Sequence, residues 1–322
     1  MSALVRLTAV ACALVASGCA IRPLPEDVSG VPTYTIVRQI RCETRQAIFD
    51  SAVQWLTSER VDPASRLIGI EFKEGLRPIH TLRPGLFKGR VANLIALFFD
   101  SGVAYDFELE GTEVNNVGAS VDLLKPFTKG SFTMGIGASA DRQRQNTRIF
   151  AATDKFSTLI RMPDDYCVLD GHYNHLVEKN YMYPATGKIG VKRHVQDFIE
   201  LTLFAGLAGK EGKPPTVADQ LEFETVIFST VTPKVTFAPA GTDLSLAEAS
   251  LIGHVKRKDR HKITMGLSVG GPGNKLLEPT RSTYFTPLLV GTVPGSSEQR
   301  ALEAVNQLLT RKLFSRIQIV VP

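Results

Sequence analysis

The stretch VAYDFELE, Val103 to Glu110, alternates with a period of two. Val103, Tyr105, Phe107 and Leu109 fall on one side, and Asp106, Glu108 and Glu110 on the other. Such alternation marks an antiparallel strand with one face against a core and the other toward water. It decides the fold class because the pattern recurs. Val117, Ala119, Val121 and Leu123 repeat it, and so do Phe132, Met134, Ile136 and Ala138. Glycine-bearing turns and the connection KPFTKG suit a meander, with a returning strand expected from about 148 to 156.

A second block follows after some sixty mixed residues. Leu221 and Phe223 alternate with Glu222 and Glu224, then come Val235 and Phe237, then Ile263, Met265, Leu267 and Val269. The blocks, about 103–157 and 219–270, share a strand, a proline connection, a strand, a basic hairpin and a return strand. That likeness predicts a weak internal duplication whose two related sheets pack as a sandwich. Two unrelated meanders would give the same pattern.

Helices flank the strands. Ile36, Val37, Ile40, Ala47, Ile48, Ala52, Trp55 and Leu56 form a helical stripe between Thr35 and about Arg60. A further helix is expected near Lys192 to Phe204. A tail helix begins at SSEQ, a capping-box-like start, and places Ala301, Leu302, Val305, Leu308, Leu309 and Leu313 on one face. RIQIVV closes the chain as a short strand. RVANLIALFF is a continuous apolar run without a readable period. The expected class is therefore α+β: antiparallel β meanders with packed N-terminal and C-terminal helices.

The chain has 322 residues, 43% hydrophobic and 21% charged, which suits a globular protein with a sizeable core. Its net charge of +5 carries no lysine-rich tail or long like-charge block, so nucleic acid is not an expected partner. No nucleophile elbow, zinc-protease motif, Walker loop or dinucleotide fingerprint occurs. GGPGNK, Gly270 to Lys275, lacks the lysine–hydroxyl pair of a phosphate loop and reads as a surface loop.

The N-terminus is more specific. Arg6 precedes the apolar run LTAVACALVA, which is shorter than the roughly 20 residues of a membrane-spanning helix. Ala16, Ser17 and Gly18 then lead into Cys19. This arrangement resembles the lipobox of bacterial lipoproteins, with Ala16 where leucine is more frequent. The resemblance implies cleavage before Cys19, a diacylglycerol on its thiol and an acyl group such as palmitate on the new amino terminus. Several acyl chains hold a protein to a membrane stably, where one does so only marginally. An ordinary secretory peptide with an incidental cysteine is the alternative. Ala20, where the inner-membrane retention signal would be aspartate, implies an outer-membrane address facing the periplasm. Residues 1–18 are thus the expected signal peptide, 19–33 a proline-rich tether and 34–322 a folded periplasmic body. The helix IRCETRQAI ahead of strands also resembles uncharacterised bacterial lipoproteins.

Cys42 and Cys167 remain in the mature chain, and an oxidising periplasm favours their pairing. Two buried free thiols are the other possibility. Two basic stretches draw notice. DRQRQNTR carries Arg142, Arg144 and Arg148, and HVKRKDRHK carries Lys256, Arg257, Lys258, Arg260 and Lys262. Read as hairpin tips, they form either one basic pole for an anionic surface or two solvated turns that block edge association. CVLDGHYNH offers Asp170, His172 and His175 as metal ligands, but the spacing lacks a third-ligand pattern, so no metal and no cofactor are expected. An outer-membrane β-barrel fails on strand number, since eight or more are needed and the pattern gives six or seven, interrupted by helices. The sequence therefore points to a lipid-anchored envelope protein without catalytic activity, a scaffold or accessory of a membrane or secretion assembly with an envelope protein as partner. The alternative is a metal-dependent hydrolase using His172 and His175.

Overall fold

The computed structural model describes residues 32–167, 189–207, 214–237, 243–270 and 296–317, side chains from 314 onward excepted. The signal peptide, Cys19, the His172/His175 segment, the loop beyond Gly270 and the closing RIQIVV segment from 318 on fall outside them. The chain is α+β. In order come α1 (Thr33–Leu56), α2 (Pro63–Lys73), α3 (Gly89–Phe99), β1 (Gly102–Phe127) and β2 (Gly130–Lys155). Then follow α4 (Phe156–Arg161), α5 (Val191–Phe204), β3 (Thr216–Val231), β4 (Lys234–Thr236), β5 (Ser245–Ser268) and α6 (Ser297–Ile317).

One sheet has the order β2-β1-β5-β3, with β4 also pairing β5 antiparallel. The two strand blocks therefore join a single sheet and do not pack as a sandwich. Strand number differs from the sequence expectation for one reason. GTEVNNVG and DRQRQNTR contain no residue pair that imposes a tight turn. The backbone runs straight through both, so that β1 and β2 each reach 26 residues. The reversal falls at Thr128–Lys129, inside the expected KPFTKG connection. HVKRKDRHK likewise lies within β5. Neither basic stretch is a hairpin tip.

Contacts divide the chain into two compact units. One, the strand unit, takes in Gly111–Asn146 and Ile227–Lys258 among the described residues. The other, the helical unit, comprises Ser29–Glu110, Thr147–Val226 and Asp259–Pro322. Each of β1, β2, β3 and β5 contributes to both.

The helical unit holds the core. Tyr105, Phe107 and Leu109 of β1 and Ile263, Met265 and Leu267 of β5 lie with Ile36, Ile40, Leu56, Phe72, Ile95, Phe156 and Phe198 in one buried cluster. Phe107 stacks on Phe150 at 4.8 Å, and Phe198 meets Phe98 and Phe156 edge to face at 6.3 and 6.4 Å. α3 is the apolar run whose period could not be read. Val91, Ile95, Leu97 and Phe99 are buried and Ala92 and Phe98 pack on the same core, so apolar residues are used on most sides of the helix. α2 is started by Asp62, which accepts from the Ser65 amide at 2.9 Å, with Pro63 in the first turn where its missing N–H costs nothing.

The opposite face of β1 and β5 is covered by α6. Ala104, Ala301 and Val305 form a second buried cluster. Gly266 permits this approach: a Cβ there would run into the Ala301 carbonyl and come within 2.8 Å of Val305 Cγ2. The expected capping box is present. Ser296 Oγ accepts from the Gln299 amide at 3.2 Å, and Gln299 Oε1 accepts from the Ser296 amide at 2.9 Å.

Cys42 of α1 is bonded to Cys167, with Cα atoms 5.5 Å apart and a sequence separation of 125. In the chain-entropy model a loop of that length contributes about 5 kcal/mol by restricting the unfolded chain. Chemical denaturation with and without a thiol reductant should therefore show a large fall in midpoint on reduction, and Cys167→Ala should abolish the difference. Burial pulls His261 and His194 below the ordinary histidine pKa. Between the folded and unfolded values the unfolded chain binds more protons, so stability is full above about pH 6.5 and declines as pH falls. The melting temperature should drop below pH 6.5, and His261→Gln should flatten that drop; an unchanged slope would contradict it.

Candidate functional site

A constellation of charged groups in the helical unit is built on five consecutive residues of α1, Arg41-Cys42-Glu43-Thr44-Arg45. Successive helical residues point about 100° apart, so five of them face all around the axis. α1 packs against α2, α4 and α5. Each side chain meets a different segment.

Arg41 clamps the end of β2. Its Nε donates to Asp154 Oδ2 at 2.7 Å and its Nη2 to Asp154 Oδ1 at 2.6 Å, a bidentate pair. Nη1 donates to the Tyr166 hydroxyl at 3.1 Å, with the guanidinium carbon 5.6 Å from that ring centre. Hydrogen bonding to Asp154 raises the Arg41 pKa beyond its already high value, so the cation is permanent. Tyr105 lies fully buried beneath this pair. Burial pushes its hydroxyl far above the ordinary tyrosine range. The nearby Thr44 hydroxyl donates to the Ile40 carbonyl at 2.7 Å, and the Tyr105 hydroxyl makes no bond of ordinary geometry.

Glu43 is 3% exposed. Its carboxylate accepts from three backbone amides: Ile189 at 2.8 Å, Gly190 at 2.6 Å and Val191 at 2.9 Å. These are the orphan donors at the start of α5, where a negative charge is favoured. Gly190, at φ 94°, supplies the left-handed backbone that turns the chain into this helix. Arg45, 2% exposed, donates through Nη2 to the Met162 carbonyl at 3.0 Å and to Asp164 Oδ1 at 2.5 Å. Asp164 Oδ2 also lies 3.2 Å from His80 Nδ1.

The chemistry this permits is restricted. Both carboxylates facing α1 arginines are paired with them, and the third accepts from a helix terminus. The geometry ties α1 to β2, α5 and the segment 162–167.

The residues singled out from sequence are placed differently. Cys42 and Cys167 are joined within this same cluster. Arg142 and Arg144 lie in β2 and Lys256, Arg257 and Lys258 in β5, all in the strand unit. Arg148, Arg260 and Lys262 lie in the helical unit. Arg148 donates to Thr33 Oγ1 at 2.6 Å. Arg257 approaches Glu113 at 3.6 Å, Arg260 pairs with Glu222 at 2.5 Å and Lys262 with Glu108 at 2.7 Å. Part of the basic charge is thus met by acidic residues on adjacent strands. Among the described residues no group of three metal-ligating side chains converges. Arg41, Glu43, Arg45, Asp154 and Asp164 were not singled out from sequence. The signal for them was available: Cys42, once paired, must be enclosed, and charged residues immediately beside it on a helix then need partners.

The links differ in weight. Glu43→Ala leaves the amides of Ile189, Gly190 and Val191 without their acceptor, two of them buried, a loss of about 3 kcal/mol. Asp50→Ala removes the exposed Lys192–Asp50 pair at 2.9 Å and the Gln46 hydrogen bond at 2.8 Å, and should cost about 1 kcal/mol or less. Urea denaturation of both variants checks the contrast; equal midpoints would contradict it.

Comparison with known proteins adds a relationship. The uncharacterised protein y4kA of Sinorhizobium fredii (strain NBRC 101917 / NGR234) is 29% identical over 268 residues, covering 82% of each chain. A chain of the Klebsiella pneumoniae type II secretion system outer membrane complex, comprising PulD, PulS and the PulC HR domain, aligns at 7% identity over 71% of this chain and 50% of that one. Its TM-score is 0.16, too low to support an argument. The family model described as uncharacterised protein y4kA matches residues 22–72 and 86–283, a span that includes Arg41 to Arg45, Asp154, Asp164 and both bonded cysteines. The chain belongs to the y4kA family.

Proposed function

We propose that the protein is a lipid-anchored cell-envelope protein that acts without catalysis, as a scaffold or accessory within a membrane or secretion assembly. It is held at the outer membrane through acylated Cys19 and faces the periplasm. One observation carries the assembly role. Of the twenty-four exposed large hydrophobic side chains among the described residues, sixteen lie in the strand unit. Contiguous exposure of this kind marks an interaction surface, since a solvated domain keeps such patches small. A pair of cysteines bonded across the fold fits an oxidising compartment. The polar cluster around α1 fits a rigid body, because its charges are engaged in fixed pairs. Lipid attachment restricts the molecule to a surface and raises its effective concentration toward partners there.

The intact mass of protein extracted from native membranes tests the anchor. The mature chain should begin at Cys19 and carry the mass of a diacylglycerol and an acyl group. Cys19→Ser should abolish both the modification and the cleavage. An unmodified mass in the unsubstituted protein would overturn the anchored reading.

A further inference from the structure

None of the buried core residues lies in the strand unit, so its apolar side chains have no partner within the chain's described core. They are not scattered. On β1, Val117, Ala119, Val121 and Leu123 alternate with Gly118, Ser120 and Asp122. On β2, Phe132, Met134, Ile136 and Ala138 alternate with Thr133, Gly135, Gly137 and Ser139. Cross-strand contacts show which faces coincide. Ser120 Oγ lies 2.7 Å from Ser250 Oγ. A Cβ on Gly118 would sit 3.9 Å from the Cβ atoms of both Ser139 and Ile252, and one on Gly137 would sit 4.0 Å from the Ser120 Cβ. The serine, glycine and aspartate sides of β2, β1 and β5 therefore share one face. The phenylalanine, methionine, isoleucine and valine sides share the other. β5 continues the apolar face with Ala247, Ala249, Leu251 and Val255, and β4 adds Val235, registered opposite Ala249. Leu246, Ile252 and Phe228 are exceptions on the polar face.

The length of this face is informative. Phe132 to Ala140 on β2 and Val117 to Leu123 on β1 span nine and seven residues. At about 3.3 Å per residue and the usual tilt of roughly 40°, they rise about 15–20 Å, near the lower limit for a membrane-crossing strand. Basic residues bracket it. Lys125 follows Leu123 on the apolar face of β1, Lys129 lies in the β1–β2 reversal, and Arg142 and Arg144 follow Ala140 on the same face as Phe132. Both ends thus present cations at the height of anionic headgroups. A binding surface for a folded protein has no need of a fixed height with charge at both limits.

A single copy cannot stand in hydrocarbon. The strand order leaves β2 and β3 at the outside of the sheet, each with one edge of backbone donors and acceptors facing away from it. Open edges are excluded from the bilayer interior, and four strands are too few to close. Additional copies remove both obstacles. β1 and β5 run antiparallel, as the contacts Arg257–Glu113, Ser250–Ser120 and Ser245–Leu124 step in opposite directions along them. An antiparallel sheet of order β2-β1-β5-β3 alternates direction, so β3 of one copy meets β2 of the next antiparallel as well. Repeated head to tail, the contact closes a ring.

Resting on the reading of the protein as an envelope component, we propose that the strand unit is one sector of an oligomeric β-barrel. Each copy contributes four long strands, the apolar face meets lipid, and the serine–glycine–aspartate face lines the interior. The shortage of strands in a single chain does not apply to a barrel shared among copies. No described helix is long and apolar enough to cross a membrane, which leaves strands as the described elements able to do so.

The test uses the full chain reconstituted in phosphatidylethanolamine–phosphatidylglycerol vesicles. An environment-sensitive fluorophore is placed at Ile136→Cys or at Ser139→Cys, with Val121→Cys and Ser120→Cys as a second pair should the first fail to fold. A deep spin-labelled phospholipid should quench Ile136 and Val121 at least twofold and leave Ser139 and Ser120 nearly unaffected. Light scattering in detergent should give an integer multiple of the protomer mass, two or more. Equal quenching on both faces, or a monomer, would overturn the proposal. If no label is quenched while Cys19 is acylated, the barrel falls and the anchored reading stands. If Ile136 is quenched in protein without acyl groups, the anchor falls and the barrel stands.

Discussion

The fold of the helical unit depends on enclosing one polar helical turn. Arg41, Cys42, Glu43, Thr44 and Arg45 leave α1 in five directions, and every one of them must find a partner or remain as a buried polar group without one. Such a group costs about 1–3 kcal/mol, more when charged. The requirement fixes the surroundings: the end of β2 supplies Asp154, the turn after α4 supplies Asp164, and the start of α5 supplies three amides. Apolar packing alone would tolerate α5 sliding along α1, because side chains of similar volume exchange at modest cost. A carboxylate seated on the amide donors at Ile189, Gly190 and Val191 permits one position. The disulfide acts on the same helix but by another route, since its effect falls chiefly on the unfolded chain.

How much of this was legible depended on the range of the interaction. Period-two alternation and helical stripes are local, and they gave α1, α5, α6 and the strand positions near their observed places. The capping box at Ser296 and Gln299 was legible for the same reason, being complete within four residues. The ends of β1 and β2 were not. A polar run such as NNVG reads as a turn when its neighbours are assumed to bury one face. Where both faces are exposed, as from Val117 onward, polar residues simply occupy one side of a continuing strand. The Arg41–Asp154 and Arg45–Asp164 pairs span more than a hundred residues of sequence. No local pattern announces them; only the enclosure of Cys42 implies that they exist.

The basic stretches were read as tips because clustered charge is usual in exposed turns. In the sheet they lie beside acidic residues that belong to other strands: Glu113 and Glu108 on β1 and Glu222 on β3. Opposite charges directly across strands contribute a few tenths to 1 kcal/mol each, and like charges there would oppose pairing. The acidic residues of DFELEGTE and the basic residues of HVKRKDRHK therefore support one register between β1 and β5. Charge that looked like a surface feature has become a determinant of strand alignment, which also explains why the net charge of the chain is small despite two conspicuously basic segments.

The same strand can obey two regimes, and β1 does. Over Val103 to Leu109 its residues are nearly all buried, because α6 covers one face at Ala104 while the main core covers the other at Tyr105 and Phe107. Beyond Glu113 no helix of the described chain is enclosed with it in a core, yet large hydrophobic residues continue at every second position. Alternation in water costs free energy when the apolar side stays wet, roughly 25 cal/mol for each square ångström left exposed. The sequence does not relax that pattern in the strand unit: Phe132, Met134 and Ile136 are as apolar as the residues under the helices. A surface held to the chemistry of an interior, over a length that ends abruptly in arginine and lysine, is best explained by a solvent that is itself apolar over that length.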